Sequence, residues 1–181
     1  ASPRLPSLPA ARGMLLGRVR ELADLQSLLT HGDTRLLTLT GPGGVGKTCL
    51  ALQAATSLRD AFADGAAFVD LAPVNDFELV PAAIARALDY ETGWPPLAML
   101  MRALADRHAL LVLDNFEQVV AAAPAVGQIL AAAPQLRILV TSRAPLRIQD
   151  EQEYTVAPLE LPPALVPDQQ GRASISYAAV E

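Results

Sequence analysis

Lys47 constrains this chain more than any other residue. It is the only lysine, arginine supplying the positive charge everywhere else, and it stands in the frame Gly41-Pro42-Gly43-Gly44-Val45-Gly46-Lys47-Thr48. A glycine-rich frame of this spacing is a phosphate-binding loop when a strand precedes it and a helix follows. Both flanks fit. Leu36-Leu37-Thr38-Leu39-Thr40 is a short β-prone run, and Cys49-Leu50-Ala51-Leu52-Gln53-Ala54-Ala55 reads as a helix. Glycines let the loop turn its amide groups inward, and the partial positive charge at a helix N-terminus adds to the attraction for an anion. Gly41, Gly43, Gly44, Val45, Gly46, Lys47, Thr48 and Cys49 are therefore the expected nucleotide contacts. Lys47 reaches the β- and γ-phosphates, and Thr48 ligates Mg²⁺. Cys49 itself reads as a small buried hydrophobe, with a dipole-activated thiol as the other reading. The bland reading of the whole frame, a Gly-rich turn before an ordinary helix, leaves the lysine and the flanks unexplained.

Strands alternate with helices along the rest of the chain. Ala66 to Leu71 predicts a second strand, and Asn75-Asp76 caps a helix running to about Leu88. Gly93-Trp94-Pro95-Pro96 breaks the pattern before a helix over Leu97–Arg107. His108-Ala109-Leu110-Leu111-Val112-Leu113-Asp114 is an apolar run ending in an acid, which is how a strand buried on both faces of a parallel sheet reads. A helix is expected over Gln118–Ala133, interrupted or bent near Pro124, then a buried strand over Leu136–Arg143. Tyr154–Val156 predicts a short further strand. The fold class is thus α/β, a doubly wound and mainly parallel sheet with helices on both faces. Ligands in such sheets sit at the carboxyl ends of the strands, where Thr40/Gly41, Asp114 and Arg143 all fall.

Asp114 has the Walker B arrangement, an aspartate placed to hold Mg²⁺ beside the phosphates; the alternative is an acid that merely ends a strand. Arg143 is placed to touch a γ-phosphate, or is a surface arginine near a turn. A water-activating acid is harder to find. Asn115 stands directly after Asp114, and Glu117 and Asp70 are weaker candidates. Lys47, Asp114 and Arg143 form the expected catalytic set, with Thr48 and Asp114 on the metal.

Composition limits the rest. The 181 residues suit one domain with a tail, and 51% hydrophobic content supplies a two-faced core. A net charge of −5 argues against direct nucleic-acid binding by this segment. One cysteine excludes an internal disulfide or a cysteine zinc cluster. No run of 18 apolar residues and no signal-peptide pattern is present, so no membrane partner is expected and the expected location is cytoplasmic. Residues 1–13, with three prolines, read as a linker. Residues 14–157 read as the nucleotide-binding domain. Residues 158–181 read as a proline-rich connector with the opening of a truncated helical domain.

In order along the chain, these pieces resemble the nucleotide-binding domain of STAND-type ATPases, and within them the NB-ARC-related domain of bacterial multidomain regulators of the LuxR and SARP kinds. Leu16-Gly17-Arg18-Val19-Arg20-Glu21 resembles the family's hhGRxxE signature. The phosphate loop, Phe68-Val69-Asp70-Leu71-Ala72-Pro73, Leu111-Val112-Leu113-Asp114-Asn115-Phe116-Glu117 and Leu139-Val140-Thr141-Ser142-Arg143 match further segments. The resemblance spans about residues 14–160. It implies a P-loop NTPase with strand order 5-1-4-3-2, ATP/ADP as ligand, Gly17 and Arg18 near the adenine or ribose, and Arg143 as γ-phosphate sensor. It also implies partner domains in the same polypeptide (a lid, a winged helix, repeats, a DNA-binding effector) and a nucleotide-driven oligomer. The function it implies is an ATP/ADP switch with Mg²⁺ and slow hydrolysis. A scaffold that binds nucleotide with little turnover is the alternative. A small P-loop kinase fits less well, because no arginine-rich lid segment is present.

Overall fold

The computed structural model describes residues 5–6, 8–9, 17–31, 33–90 and 97–158. Its framework is a five-stranded sheet in the order β2-β3-β4-β1-β5. The strands are β1 Leu36–Thr40, β2 Gly65–Asp70, β3 Ala109–Asp114, β4 Arg137–Thr141 and β5 Glu151–Thr155. Every pairing is parallel, and read from the other end the order is the expected 5-1-4-3-2.

The continuous apolar runs sort themselves by side-chain alternation. In β3, Ala109, Leu111 and Leu113 enter one core, while Leu110 and Val112 enter the other. Helices α1 (Val19–His31) and α2 (Lys47–Leu58) cover one face. Leu25 and Leu29 of α1 and Leu50, Ala51, Ala54 and Ala55 of α2 lie in its core. Helices α3 (Val80–Ala87), α4 (Leu97–Leu104) and α5 (Ala123–Ala132) cover the opposite face through Ile84, Leu100, Leu104, Val126 and Ile129. Helices on both faces leave the strand ends as the accessible edges, so the functional edge is set by topology.

Several local expectations are corrected. Pro124 marks an interruption, not a bend, of the helix expected over Gln118–Ala133. It lies in the first turn of α5, where its missing N–H costs nothing. The segment before it is two 3₁₀ turns, Phe116–Gln118 and Val120–Ala122. The helix predicted from Asn75 begins as a 3₁₀ turn, Phe77–Leu79, capped by Asp76 Oδ1 accepting from the Glu78 amide at 2.9 Å. β5 starts at Glu151 and stops at Thr155, one residue short of the expected Val156. Leu5, in the stretch read as linker, is buried, and its amide donates to the Asp64 carbonyl at 2.9 Å. Gly93–Pro96 and most of 158–181 lie outside the described residues.

Candidate nucleotide-binding site

β1 leads directly into the loop and α2 leaves it, as the strand–loop–helix frame requires. Gly44 and Gly46 have φ of +82° and +94°, angles at which a Cβ is strained. Gly46 ends the loop as the residue before α2, with no side-chain cap on the helix. This 12-residue helix thus starts directly from the loop with no capping side chain from Gly46, an arrangement that suits a phosphate. Gly41 has φ +140°, and a Cβ there would lie 2.7 Å from the Val156 carbonyl oxygen. The loop therefore starts wedged against the backbone that leaves β5, where the Val156 amide donates to Thr40 O at 2.8 Å.

Lys47 is buried at 9% exposure, and its ammonium donates to the Gly41 and Pro42 carbonyls at 2.8 and 2.9 Å. An ammonium has three donors, so one remains for an anion held in the loop. Sequence-distant residues meet at the next turn. Thr48 Oγ1 donates to Asp114 Oδ1 at 2.8 Å across 66 residues. Thr141 Oγ1, from the end of β4, donates to the same oxygen and accepts from the Asn115 amide at 3.1 Å. The Asn115 side chain donates to Asp114 Oδ2 at 3.0 Å and to Asp70 Oδ1 at 3.4 Å. Asn115 holds this bridge with φ +61°, a left-handed angle that asparagine tolerates.

Burial pushes the Asp114 carboxyl above its ordinary range. The Thr141 and Thr48 hydroxyls pull it back, and the charges of Asp70 and Glu117 raise it further. A divalent cation would offset those neighbouring charges. Thr48 Oγ1 and Asp114 Oδ1 are adjacent oxygen donors, the type a hard cation takes, and the remaining ligands would come from phosphate and water. Among the described residues no cluster of three acidic, histidine or cysteine side chains forms a self-sufficient metal site. The donors present fit a cation brought with a nucleotide.

Arg143 is 70% exposed, its Nε lies 3.3 Å from Glu117 Oε1, and its Nη2 lies 3.8 Å from where a Gly43 Cβ would stand. The guanidinium thus reaches over the loop crest. Arg18 is different. It is 3% exposed, and its guanidinium donates to Glu21 Oε1 at 2.6 Å, Val45 O at 3.1 Å and Ala157 O at 2.6 Å. Gly17 precedes it with φ +78°. Val45 packs at the margin of the α1/α2 core, and Cys49 is half-buried in the first turn of α2. The sequence analysis singled out the loop, Asp114 and Arg143, but it did not anticipate the bridges through Thr141 and Asn115. A polar residue able to turn left-handed at a strand end was the available signal. A separate concavity of about 410 Å³ opens at the amino ends of the strands beside Arg35, Gln128 and Asp150, remote from this chemistry.

A family model described as the NB-ARC domain matches residues 19–153. A Mycobacterium tuberculosis protein named as an HTH-type transcriptional regulator is 41% identical over 132 residues, covering 71% of this chain and 15% of that protein. The regulatory protein AfsR of Streptomyces coelicolor is 37% identical over 133 residues, covering 64% of this chain and 13% of AfsR. The chain therefore spans a small part of each. Among solved structures, the Aeropyrum pernix ORC2 protein in ADPNP–ADP complexes aligns with a TM-score of 0.57 at 18% identity, over 75% of this chain and 43% of that one. A Pyrococcus horikoshii STAND protein with a tetratricopeptide repeat sensor aligns with a TM-score of 0.54 at 14% identity, over 82% and 24%. These two likenesses show the P-loop ATPase fold. No helix among the described residues is long and apolar enough to cross a membrane.

Proposed function

The chain belongs to the NB-ARC family, and on that premise we propose that it is the ATP/ADP-binding switch domain of a larger regulator. Residues 14–157 would form the nucleotide-binding unit, and Thr48 and Asp114 would hold Mg²⁺ beside the phosphates. The observation that carries this reading is the 2.8 Å contact between Thr48 and Asp114 beside Lys47, because it brings together the two side chains that would hold a cation next to the loop that would hold phosphate. The cation would supply charge neutralisation across the β- and γ-phosphates. Lys47 would trade its bonds to Gly41 and Pro42 for the phosphates. A switch needs a contact that differs between ATP and ADP, and Arg143 over the loop crest is the group that would make it. Asn115 in place of a second acid supports slow hydrolysis, and it equally favours the scaffold reading with little turnover.

Relatives named as HTH-type regulators and as AfsR support a transcriptional output carried by other domains of the same polypeptide, in the cytoplasm. A nucleotide-driven oligomer belongs to the same proposal. Gly17 and Arg18 would border the nucleoside, with Arg18 acting from behind through the Val45 carbonyl.

Calorimetric titration with ADP and with ATP·Mg²⁺, beside Lys47→Ala, tests the site. Micromolar binding that disappears in the variant is the expected result. Equal affinity in the variant would remove the phosphate-loop assignment.

A further inference from the structure

Glu117 follows Asp114 by three residues, in the 3₁₀ turn Phe116–Gln118. Its two oxygens have different fates. Oε1 faces the Arg143 Nε at 3.3 Å. Oε2 is buried and has no hydrogen-bond partner among the described residues. A buried carboxylate oxygen without a donor is costly, because its lost hydration is not replaced. Elsewhere at this edge acceptors are served: Asp114 takes donors on both oxygens, and Asp70 Oδ1 accepts from the Ala72 amide at 2.9 Å. The acid with a spare oxygen is thus the one joined to the arginine over the phosphate loop. Asn115, directly after Asp114, cannot take the part of a base, because a neutral amide accepts no proton at working pH.

We propose that Glu117 is the carboxylate that holds the attacking water, and that Arg143 keeps it occupied until a γ-phosphate arrives. The proposal rests on the nucleotide-binding reading above. A terminal phosphate carries more charge than a carboxylate and takes a guanidinium through two parallel bonds. ATP therefore draws Arg143 away from Oε1, whereas ADP leaves the ion pair closed. The released carboxylate accepts a hydrogen bond from water. The water oxygen then bonds to the γ-phosphorus as the bond from that phosphorus to the β,γ-bridging oxygen breaks, and ADP leaves with the electron pair. Glu117 takes the water's proton and returns it to the inorganic phosphate. Each turnover must first open the ion pair, which makes hydrolysis slow and dependent on the γ-phosphate.

The test is Glu117→Gln in the 181-residue chain, with single-turnover hydrolysis and nucleotide affinities measured together and thermal unfolding as the check on folding. The expected kcat falls by about 100-fold or more. ATP·Mg²⁺ affinity holds or tightens, because Arg143 loses its charged competitor, and ADP affinity stays unchanged. A merely structural glutamate would move both affinities in the same direction. Glu117→Asp, which keeps an acid on a shorter stem, falls between the two in kcat and serves if the glutamine variant does not fold. Undiminished kcat in Glu117→Gln overturns the proposal, as does a wild-type chain that binds ATP·Mg²⁺ and never hydrolyses it. A wild-type chain that binds neither nucleotide overturns the proposed function itself.

Discussion

Arg18 is a buried arginine bonded to three segments: Glu21 in the first turn of α1, the Val45 carbonyl of the phosphate loop, and the Ala157 carbonyl beyond β5. Arg18→Ala leaves two carbonyls without their donor and is expected to cost about 2–4 kcal/mol in urea unfolding. It should also weaken nucleotide binding, because the loop loses its rear anchor. Two carboxyls give opposite pH signatures. The hydrogen bond from Arg18 holds Glu21 below its ordinary value of 4.5. Its contribution is present above that value and is lost as pH falls through the lower folded-state pKa. Asp114, raised above its ordinary 3.8 chiefly by burial, works the other way. In the folded state it keeps its proton to higher pH, so its contribution declines as pH rises from about 3.8 through the folded-state value. Urea midpoints of the nucleotide-free chain across that range should lose their downward component in Asp114→Asn. Replacing Glu21 by Gln should remove the upward one.

The loop element separates two reasons for a glycine. At Gly41 both the φ of +140° and the Val156 carbonyl oppose a side chain, since a Cβ would sit 2.7 Å from that oxygen. Gly41→Ala is expected to destabilise by about 2–5 kcal/mol, the sum of backbone strain and a displaced neighbour. At Gly44 nothing lies within 4 Å, and only the φ of +82° resists. Gly44→Ala should cost about 1–2 kcal/mol. Urea unfolding of the pair measures the difference. If both cost the same, β5 does not brace the loop. β5 itself, Glu-Gln-Glu-Tyr-Thr, is a polar edge strand. It is held by parallel pairing to β1 along its length, by the Thr40 hydroxyl donating to Glu153 at 2.6 Å, and by Glu151, whose carboxylate accepts from the Leu146 and Arg147 amides at 2.8 and 2.7 Å. Charged side chains on an exposed edge also discourage pairing with another chain.

At the scale of the whole molecule, the two cores fix the sheet and leave its carboxyl edge to the ligand. Nucleotide bound there, as proposed, would touch the end of β1, the start of α2, the end of β3 and the loop after β4, so it would tie together segments distant in sequence. ADP with Mg²⁺ at 100 times its Kd should stabilise the chain by about 2.7 kcal/mol through mass action alone. The urea midpoint should move with little change in the denaturant slope, because the surface exposed on unfolding hardly changes. No shift with Lys47→Ala, against a shift in the wild type, assigns the effect to the phosphate loop.

The sequence alone determined the strand–loop–helix frame around Lys47, the parallel α/β layering and the place of Asp114 at a strand end. Those features are written locally, in glycines that permit the loop and in runs such as Leu110–Leu113 that are apolar because both their faces are covered. The strand order came from resemblance to a family, and the sheet has that order. β5 was legible only at its Tyr154-Thr155 end, because a polar edge strand carries no apolar run. The 3₁₀ turns before Pro124 were missed because the alanine-rich stretch satisfies helix propensity as well. Tertiary structure decided which partner each polar group finds. It joined Thr48 and Thr141 to one oxygen of Asp114, spent the Arg18 guanidinium on backbone carbonyls, and left one oxygen of Glu117 without a donor. The physical reason is reach. A hydrogen bond acts over about 3 Å, and no spacing along the chain tells which residues, 66 or 139 positions apart, the packing of the two cores will bring within that distance.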